Sequence, residues 1–345
     1  MHPSRFCNLR CLHCYSESGP DVRDGLPLPL VEGVIADAGT LGYTVVGFSG
    51  GEPLLYRGLA GALRHAHAHG LFTTVTSNGT TLTARRLDAV APWIGLLAIS
   101  VDGVPSSHDR IRNAHGAFAR MERSLPAVKA SGVPFGFIFT LTRYNLDELD
   151  WVAGFAADAG ASLFQIHPLE PAGRALSGLP DEDPDEREAV FAYLEYARLR
   201  EEYADRMFIQ LDLADREVLT EDPGAVFATT SVESGEECLP RLAELVSPLI
   251  VEPSGDVVPI RYGFPRAYSL GNLYEAPLLS LAPRWQERRL SAFQDLCRGV
   301  YRDMSGPAAP MFDNWHARLA EAAESEAHGG RAVRATGQPL QEMNR

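Results

Sequence analysis

The chain has 345 residues, 45% of them hydrophobic and 22% charged, which suits a folded protein with room for a core domain and an appendage. A net charge of −14 excludes a general nucleic-acid binder, which needs surplus lysine and arginine, and works against docking on an anionic membrane. No apolar run reaches the length of a membrane span, "MHPSRF" lacks the basic-then-apolar order of a signal peptide, and five cysteines do not make a disulfide framework. These features predict a cytoplasmic, mixed α/β protein.

The first distinctive stretch is "RFCNLRCLHCY", where Cys7, Cys11 and Cys14 stand as Cys-x3-Cys-x2-Cys. Three thiolates on a short loop can converge on one metal centre. A structural zinc site wants four ligands, and His13, with His2 as a second candidate, can complete one. A cubane iron–sulfur cluster takes one thiolate per iron, so three cysteines leave one iron open to a ligand.

Short β-rich runs then recur: "YTVVGFS", "FTTVTS", "LLAISV", "PFGFIFT" and "SLFQIH". Helical stretches such as "GLAGALRHAHAHG", "FARMERSLPAVKASG" and "NLDELDWVAGFAADAG" separate them. This rhythm predicts βα units around a parallel sheet, with continuous apolar strands covered on both faces. Gly70, Gly132 and Gly160 stand where a helix needs a left-handed C′ residue. Each strand ends on a polar residue: Ser49, Ser77, Ser100, Thr140 and His167. Ligands bind at the carboxyl ends of parallel strands, so these residues read as the rim of a site.

Further along, Asp181 to Glu188 is an acidic run, read as a solvated helix start or loop. "SPLIVEPSGDVVPI" reads as a hairpin, and "ESEAHGGRAVRATGQPLQEMNR" as a disordered tail. In "RHAHAHG", His65 and His69 fall at helical i,i+4 spacing, for which an exposed outer helix is the plainer account than a metal site.

"CNLRCLHCY" resembles the cluster-binding loop of the radical S-adenosylmethionine (radical SAM) enzymes. "FSGGEPLL", "TSNGT", "ISVDG" with "HDRIRNAHGAF", and "PLEPAGRA" continue the likeness in the family's order, over roughly residues 5 to 175. It is nearest the subgroup with a cysteine-rich C-terminal extension (SPASM/twitch), many of whose members modify peptides. The resemblance implies a [4Fe–4S] cluster on Cys7, Cys11 and Cys14, whose open iron is chelated by S-adenosylmethionine. One electron then splits the cofactor into methionine and a 5′-deoxyadenosyl radical that abstracts hydrogen from substrate. It further implies that His13 lies against the adenine and that Gly50 and Gly51 admit the ligand to the backbone. Glu52 would accept from the methionyl ammonium. Ser77 and Asn78 would meet the ribose, Ser100 the carboxylate, and Arg112 would complete a clamp on that carboxylate.

Two departures follow. Only six residues precede Cys7, so either "MHPSRF" is a stub of the family's first strand or the true start lies further upstream, and no peptide-recognition domain is expected on this chain. The extension keeps the hairpin and "SLGNLYE", but Ile260 stands where the pattern has a cysteine, and only Cys238 and Cys297 remain outside the triad. Both are read as buried thiols, so a single cluster is expected.

The expected architecture is α/β: a partial (β/α)6 TIM-like barrel over 1–175, a mostly helical bridge over 176–230, a degenerate SPASM/twitch-like α+β cap over 231–303, and a disordered or helical tail over 304–345. The expected activity is hydrogen abstraction from a peptide, ending in a crosslink, an epimerised residue or backbone excision. One alternative is the same chemistry on a small molecule such as a sugar or amino-acid derivative. Another is a non-catalytic module in which Cys7, Cys11, Cys14 and His13 hold zinc. Expected partners are the substrate, a small recognition protein supplied in trans, and an electron donor such as flavodoxin or ferredoxin, with no nucleic acid and no membrane.

Overall fold

The computed structural model of the chain describes residues 1–225 and 240–327. Its centre is a six-stranded sheet of β1 (Val45–Phe48), β2 (Phe72–Ser77), β3 (Leu96–Ser100), β4 (Phe135–Leu141), β5 (Leu163–Pro168) and β6 (Phe208–Leu211), in sequential order. Every neighbouring pair is parallel, from Val45 opposite Phe72 to Ile166 opposite Leu211. Sequential parallel order with helices between strands is the open βα barrel that the sequence predicts. Gly70, Gly132 and Gly160 close their helices at φ of 72°, 71° and 79°, where a Cβ would be strained.

The strands are not covered alike on both faces. Val75, Leu97, Ile99, Phe137, Phe139, Phe164 and Ile166 pack into the main core and exclude water completely or nearly so. Each such side chain contributes roughly 1.5–3 kcal/mol of transfer free energy. The alternate residues Ile138, Thr140, Gln165 and His167 face a cavity instead. The apolar alternation was partly hidden because Ile138, Thr76 and Thr140 lie on the cavity face.

β6 falls within 176–230, the segment expected to be a helical bridge, so the sheet runs past residue 175. "FIQL" is a four-residue edge strand with Phe208 exposed, and it carries little pattern of its own. The acidic run does open a helix. Asp185 caps Glu186–Glu202, its carboxylate accepting from the N–H groups of Arg187 and Glu188, while Glu188 accepts from Asp185 N–H at 2.7 Å.

β7 (Ala214–Asp215) follows the barrel. β8 (Leu249–Val251), β9 (Asp256–Pro259) and β10 (Gly271–Asn272) form an antiparallel sheet that includes the predicted hairpin, and β11 (Phe312–Asp313) returns to pair with β7. The helix Leu290–Met304 and the helix Trp315–Ala327 pack against each other. The rest of the expected tail, from 328 on, lies outside the described residues, as does Cys238. Among the described residues no helix is long and apolar enough to cross a membrane.

The N-terminal stretch lies along the end of β1. Ser49, Gly51 and Glu52 donate their N–H groups to the carbonyls of Met1, Ser4 and Phe6 at 3.0, 2.8 and 3.0 Å. His2 N–H reaches the other way, to Val251 in β8 at 2.8 Å. "MHPSRF" therefore runs strand-like between the barrel edge and the hairpin, with Pro3 interrupting a full ladder.

Candidate metal and cofactor site

Cys7, Cys11 and Cys14 line one cavity of about 1140 Å³ with Ser77, Asn78, Ser100, Arg112, Gly50, Gly51 and His13. The loop that carries the thiols has little regular structure and is held by contacts from the strand ends. Leu9 N–H points at Cys7 Sγ (3.4 Å), and Ser18 N–H at Cys14 Sγ (3.3 Å). Asn78 Nδ2, just past β2, lies 3.7 Å from Cys7 Sγ and donates to Asn8 Oδ1 at 3.0 Å. Burial pushes the Cys7 thiol up to about 12 and raises that of Cys11 as well. These shifts favour the protonated thiols, and a bound metal displaces the protons.

Among the described residues no three His, Cys, Asp or Glu side chains meet at a point that one ion would fill. A zinc ion needs its ligands at one point, whereas a cubane takes each thiolate at a different iron. Three thiols lining one cavity give the donor set of a cubane with one iron left open. His13 is a neutral imidazole, lowered to about 4 chiefly by burial.

Glu52 is the clearest difference from expectation. Its carboxylate is 2% exposed and does not line the cavity. It accepts from Ser77 Oγ (2.9 Å), Asn78 N–H (2.9 Å) and Leu54 N–H (3.2 Å), and so ties the end of β2 to the turn after β1. Burial raises its pKa against the pull of those donors. Gly50 and Gly51 line the cavity, but their lack of a side chain serves the chain itself. A Cβ on Gly51 would sit 2.2 Å from the Phe6 carbonyl oxygen, and one on Gly50, at φ 103°, 2.8 Å from that of Ser4. Asn78 is likewise committed, its Oδ1 accepting from Thr80 N–H and hydroxyl at 2.9 and 2.6 Å.

Arg112 is buried, and its Nε forms an ion pair with Asp102 Oδ2 at 2.6 Å. Burial alone would raise the Asp102 pKa, but Arg112 outweighs it and holds the carboxyl below its ordinary range. Arg110, two residues earlier, is exposed, with its guanidinium over the Tyr144 ring at 3.8 Å.

Residues 1–156 match the Radical SAM superfamily. This stretch of the chain is a radical SAM domain.

The radical SAM stretch has curated relatives of more than one kind. Fe-coproporphyrin III synthase of Methanosarcina barkeri is 29% identical over 56% of this chain and 50% of its own. The PqqA peptide cyclase of Ruegeria pomeroyi is 33% identical over 46% of this chain and 44% of its own. The matches thus span about half the length of these relatives. Streptococcus suis SuiB, in its crystal structure bound to precursor peptide SuiA, superposes on 84% of this chain and 64% of its own with a TM-score of 0.62. At 14% identity that likeness speaks for the fold.

Several residues around the radical SAM site escaped the sequence reading. Arg174 donates to the Cys11 and Ser18 carbonyls, both at 2.8 Å, from inside a quoted motif that drew no assignment. Tyr15 packs with His2 and Tyr262, ring centroids 5.8 and 5.9 Å away. Across the cavity, His167 was expected only as a polar strand end. Its Nδ1 lies 2.9 Å from Asp212 Oδ2 and its Nε2 3.3 Å from Glu170 Oε1. Burial alone would lower its pKa, yet those two hydrogen bonds raise it to about 10. Arg261, from the extension, lies 3.9 Å from Glu170 and 2.9 Å from Glu324. Asp212 and Arg261 had no sequence signal, because their partners come from distant parts of the chain. Cys297 is buried at 2% on Leu290–Met304. His65, on the outer helix Leu59–Ala68, and His69, its C-cap, have tilted rings with centroids 4.3 Å apart.

Proposed function

We propose that the chain is a radical SAM enzyme acting by hydrogen abstraction on a peptide. The observation that carries this reading is the cysteine triad opening into one cavity with the polar ends of β2, β3, β4 and β5. Cys7, Cys11 and Cys14 would hold the [4Fe–4S] cluster, and the cavity wall from Gly50 to Ser100 would hold S-adenosylmethionine. When bound, these groups supply the 5′-deoxyadenosyl radical that takes a hydrogen atom from substrate.

The chain's own residues bind, orient and exclude water. His13 is offered as the adenine contact, which its neutral, uncharged state suits. Ser77 and Asn78 are the proposed ribose contacts, although both also hold the loop. Ser100, with Arg112 beside it, is proposed for the methionyl carboxylate. The methionyl ammonium is assigned to the backbone of Gly50 and Gly51, which line the cavity, rather than to Glu52, which does not.

A cavity of about 1140 Å³ exceeds what a single ligand usually fills, roughly 300–1,000 Å³, and leaves room for a substrate segment beside the cofactor. The proposed substrate wall is the His167, Glu170 and Asp212 side, where β5 and β6 face the extension. PqqA peptide cyclase and peptide-bound SuiB support a peptide. Fe-coproporphyrin III synthase supports a second reading, the same chemistry on a small molecule. A one-electron donor of the flavodoxin or ferredoxin kind and, for a peptide, a recognition protein in trans are the further proposed partners.

The test is to incubate the anaerobically reduced protein with S-adenosylmethionine and measure 5′-deoxyadenosine. Deuterium from a labelled precursor peptide appearing in that product supports the peptide reading. Transfer from a labelled small molecule alone supports the second, and no 5′-deoxyadenosine contradicts both.

A further inference from the structure

The three thiols are not electrostatically equivalent. Cys7 and Cys14 meet neutral donors: Leu9 N–H and Asn78 Nδ2 at one, Ser18 N–H and the Ser16 hydroxyl at the other. Cys11 Sγ lies 3.9 Å from Arg112 Nη1, a guanidinium only 7% exposed.

That guanidinium has little freedom. Asp102, with no exposed surface, holds its Nε at 2.6 Å. Asp102 is fixed in turn. Its Oδ1 accepts from Thr140 N–H (3.2 Å), its carbonyl from Asn145 Nδ2 (3.0 Å), and its own N–H donates to His108 Nδ1 (3.2 Å). The pair is neutral overall, which limits the cost of burying it, yet its positive end lies against one ligand sulfur and its negative end against the β3–β4 backbone. At the Cys11 sulfur the two charges act in opposite senses, Arg112 favouring negative charge and Asp102 opposing it.

We infer that Arg112, held in place by Asp102, is a positioning residue that raises the reduction potential of the iron–sulfur centre through the Cys11 ligand, and that Asp102 moderates this from behind. The inference rests on the cluster reading. Reduction adds one electron, and so one negative charge, to the centre, with no bond made or broken. A cation beside a ligand sulfur favours the reduced form, and a carboxylate disfavours it.

The test is a potentiometric titration of the full chain, reconstituted without oxygen and followed by the paramagnetic signal of the reduced cluster. Arg112→Gln should shift the midpoint negative, Asp102→Asn should shift it positive by less, and Arg112→Lys should stay nearer the wild type than Gln. A wild-type midpoint in Arg112→Gln, or shifts of the same sign in Arg112→Gln and Asp102→Asn, would overturn the inference; a merely structural disturbance of the loop gives the second result. If Arg112→Gln does not hold iron, Asp102→Asn decides: a positive shift supports the inference, and no shift or a negative one ends it. Wild-type protein with no reducible cluster would instead sink the proposed function itself.

Discussion

Arg174 donates from Nη1 to the backbone carbonyl of Cys11 at 2.8 Å, across 163 residues of chain. Its Nη2 reaches Ser18 at the same distance, so one planar fork from just past β5 spans the cysteine loop. Gly173 makes the approach feasible, because a Cβ there would fall 2.2 Å from the Tyr15 carbonyl oxygen. Hydrogen bonds from a charged donor contribute about 1.5–3 kcal/mol each. Arg174→Ala should therefore loosen the loop and lower the iron retained per chain after reconstitution. Arg174→Lys should recover only part, since an ammonium cannot span two carbonyls in this way. Wild-type iron content in Arg174→Ala would count against this role.

Gly51 is required by the approach of the N-terminal stretch. An alanine methyl would meet the Phe6 carbonyl oxygen at 2.2 Å, and backbone cannot swing aside as a side chain would. Gly51→Ala should cost about 1–3 kcal/mol, typical of overpacking, in denaturant unfolding. A neutral result would mean that residues 1–6 do not hold their place against β1.

His167 gives a pH signature. Its pKa rises on folding from the ordinary 6.5 to about 10, so its contribution to stability is complete below pH 6.5 and is lost as the pH climbs through about 10. His167→Gln should be less stable than wild type at neutral and mildly acidic pH, and the gap should close toward pH 10. Its partners work the other way. Burial would raise Glu170 and Asp212, but His167 holds both below the ordinary carboxylate range, and their contribution disappears as the pH falls through those lowered values. Thermal midpoints of the two proteins across pH test this; a gap that ignores pH contradicts it.

Cys297 and the triad should separate cleanly. Cys297 lies in the core, with its thiol pushed up to about 12 by burial. Cys297→Ser should keep the iron content and lose about 1–3 kcal/mol by burying an unsatisfied hydroxyl. Serine at Cys7, Cys11 or Cys14 should lose iron instead. Loss of iron on Cys297→Ser would place that residue among the ligands.

The parts of this architecture set by local chemistry were legible in the sequence. Gly70, Gly132 and Gly160 marked their helix ends, five strands carried apolar runs, and the cysteine spacing stood out unaided. What escaped depended on partners far along the chain. β6 is a four-residue edge strand whose place is set by pairing with β5. The carboxylate of Glu52 was expected to meet the ligand, and in the fold it accepts from Ser77 and Asn78. Gly50 and Gly51 were expected to admit a ligand to the backbone, and in the fold the chain's own backbone approaches them. Asp212, Arg261 and Arg174 act through contacts that no local pattern announces.

The central claim is that Cys7, Cys11 and Cys14 hold a four-iron cluster with one iron open to S-adenosylmethionine. Its most direct test is the iron and acid-labile sulfide content of protein prepared without oxygen, followed by the paramagnetic spectrum of the reduced cluster with and without S-adenosylmethionine. The account predicts about four irons and four sulfides per chain, absent in the triple serine variant, and a spectrum that changes when S-adenosylmethionine is added. Zinc with little iron, or a reduced cluster whose spectrum is unmoved by S-adenosylmethionine, would contradict it.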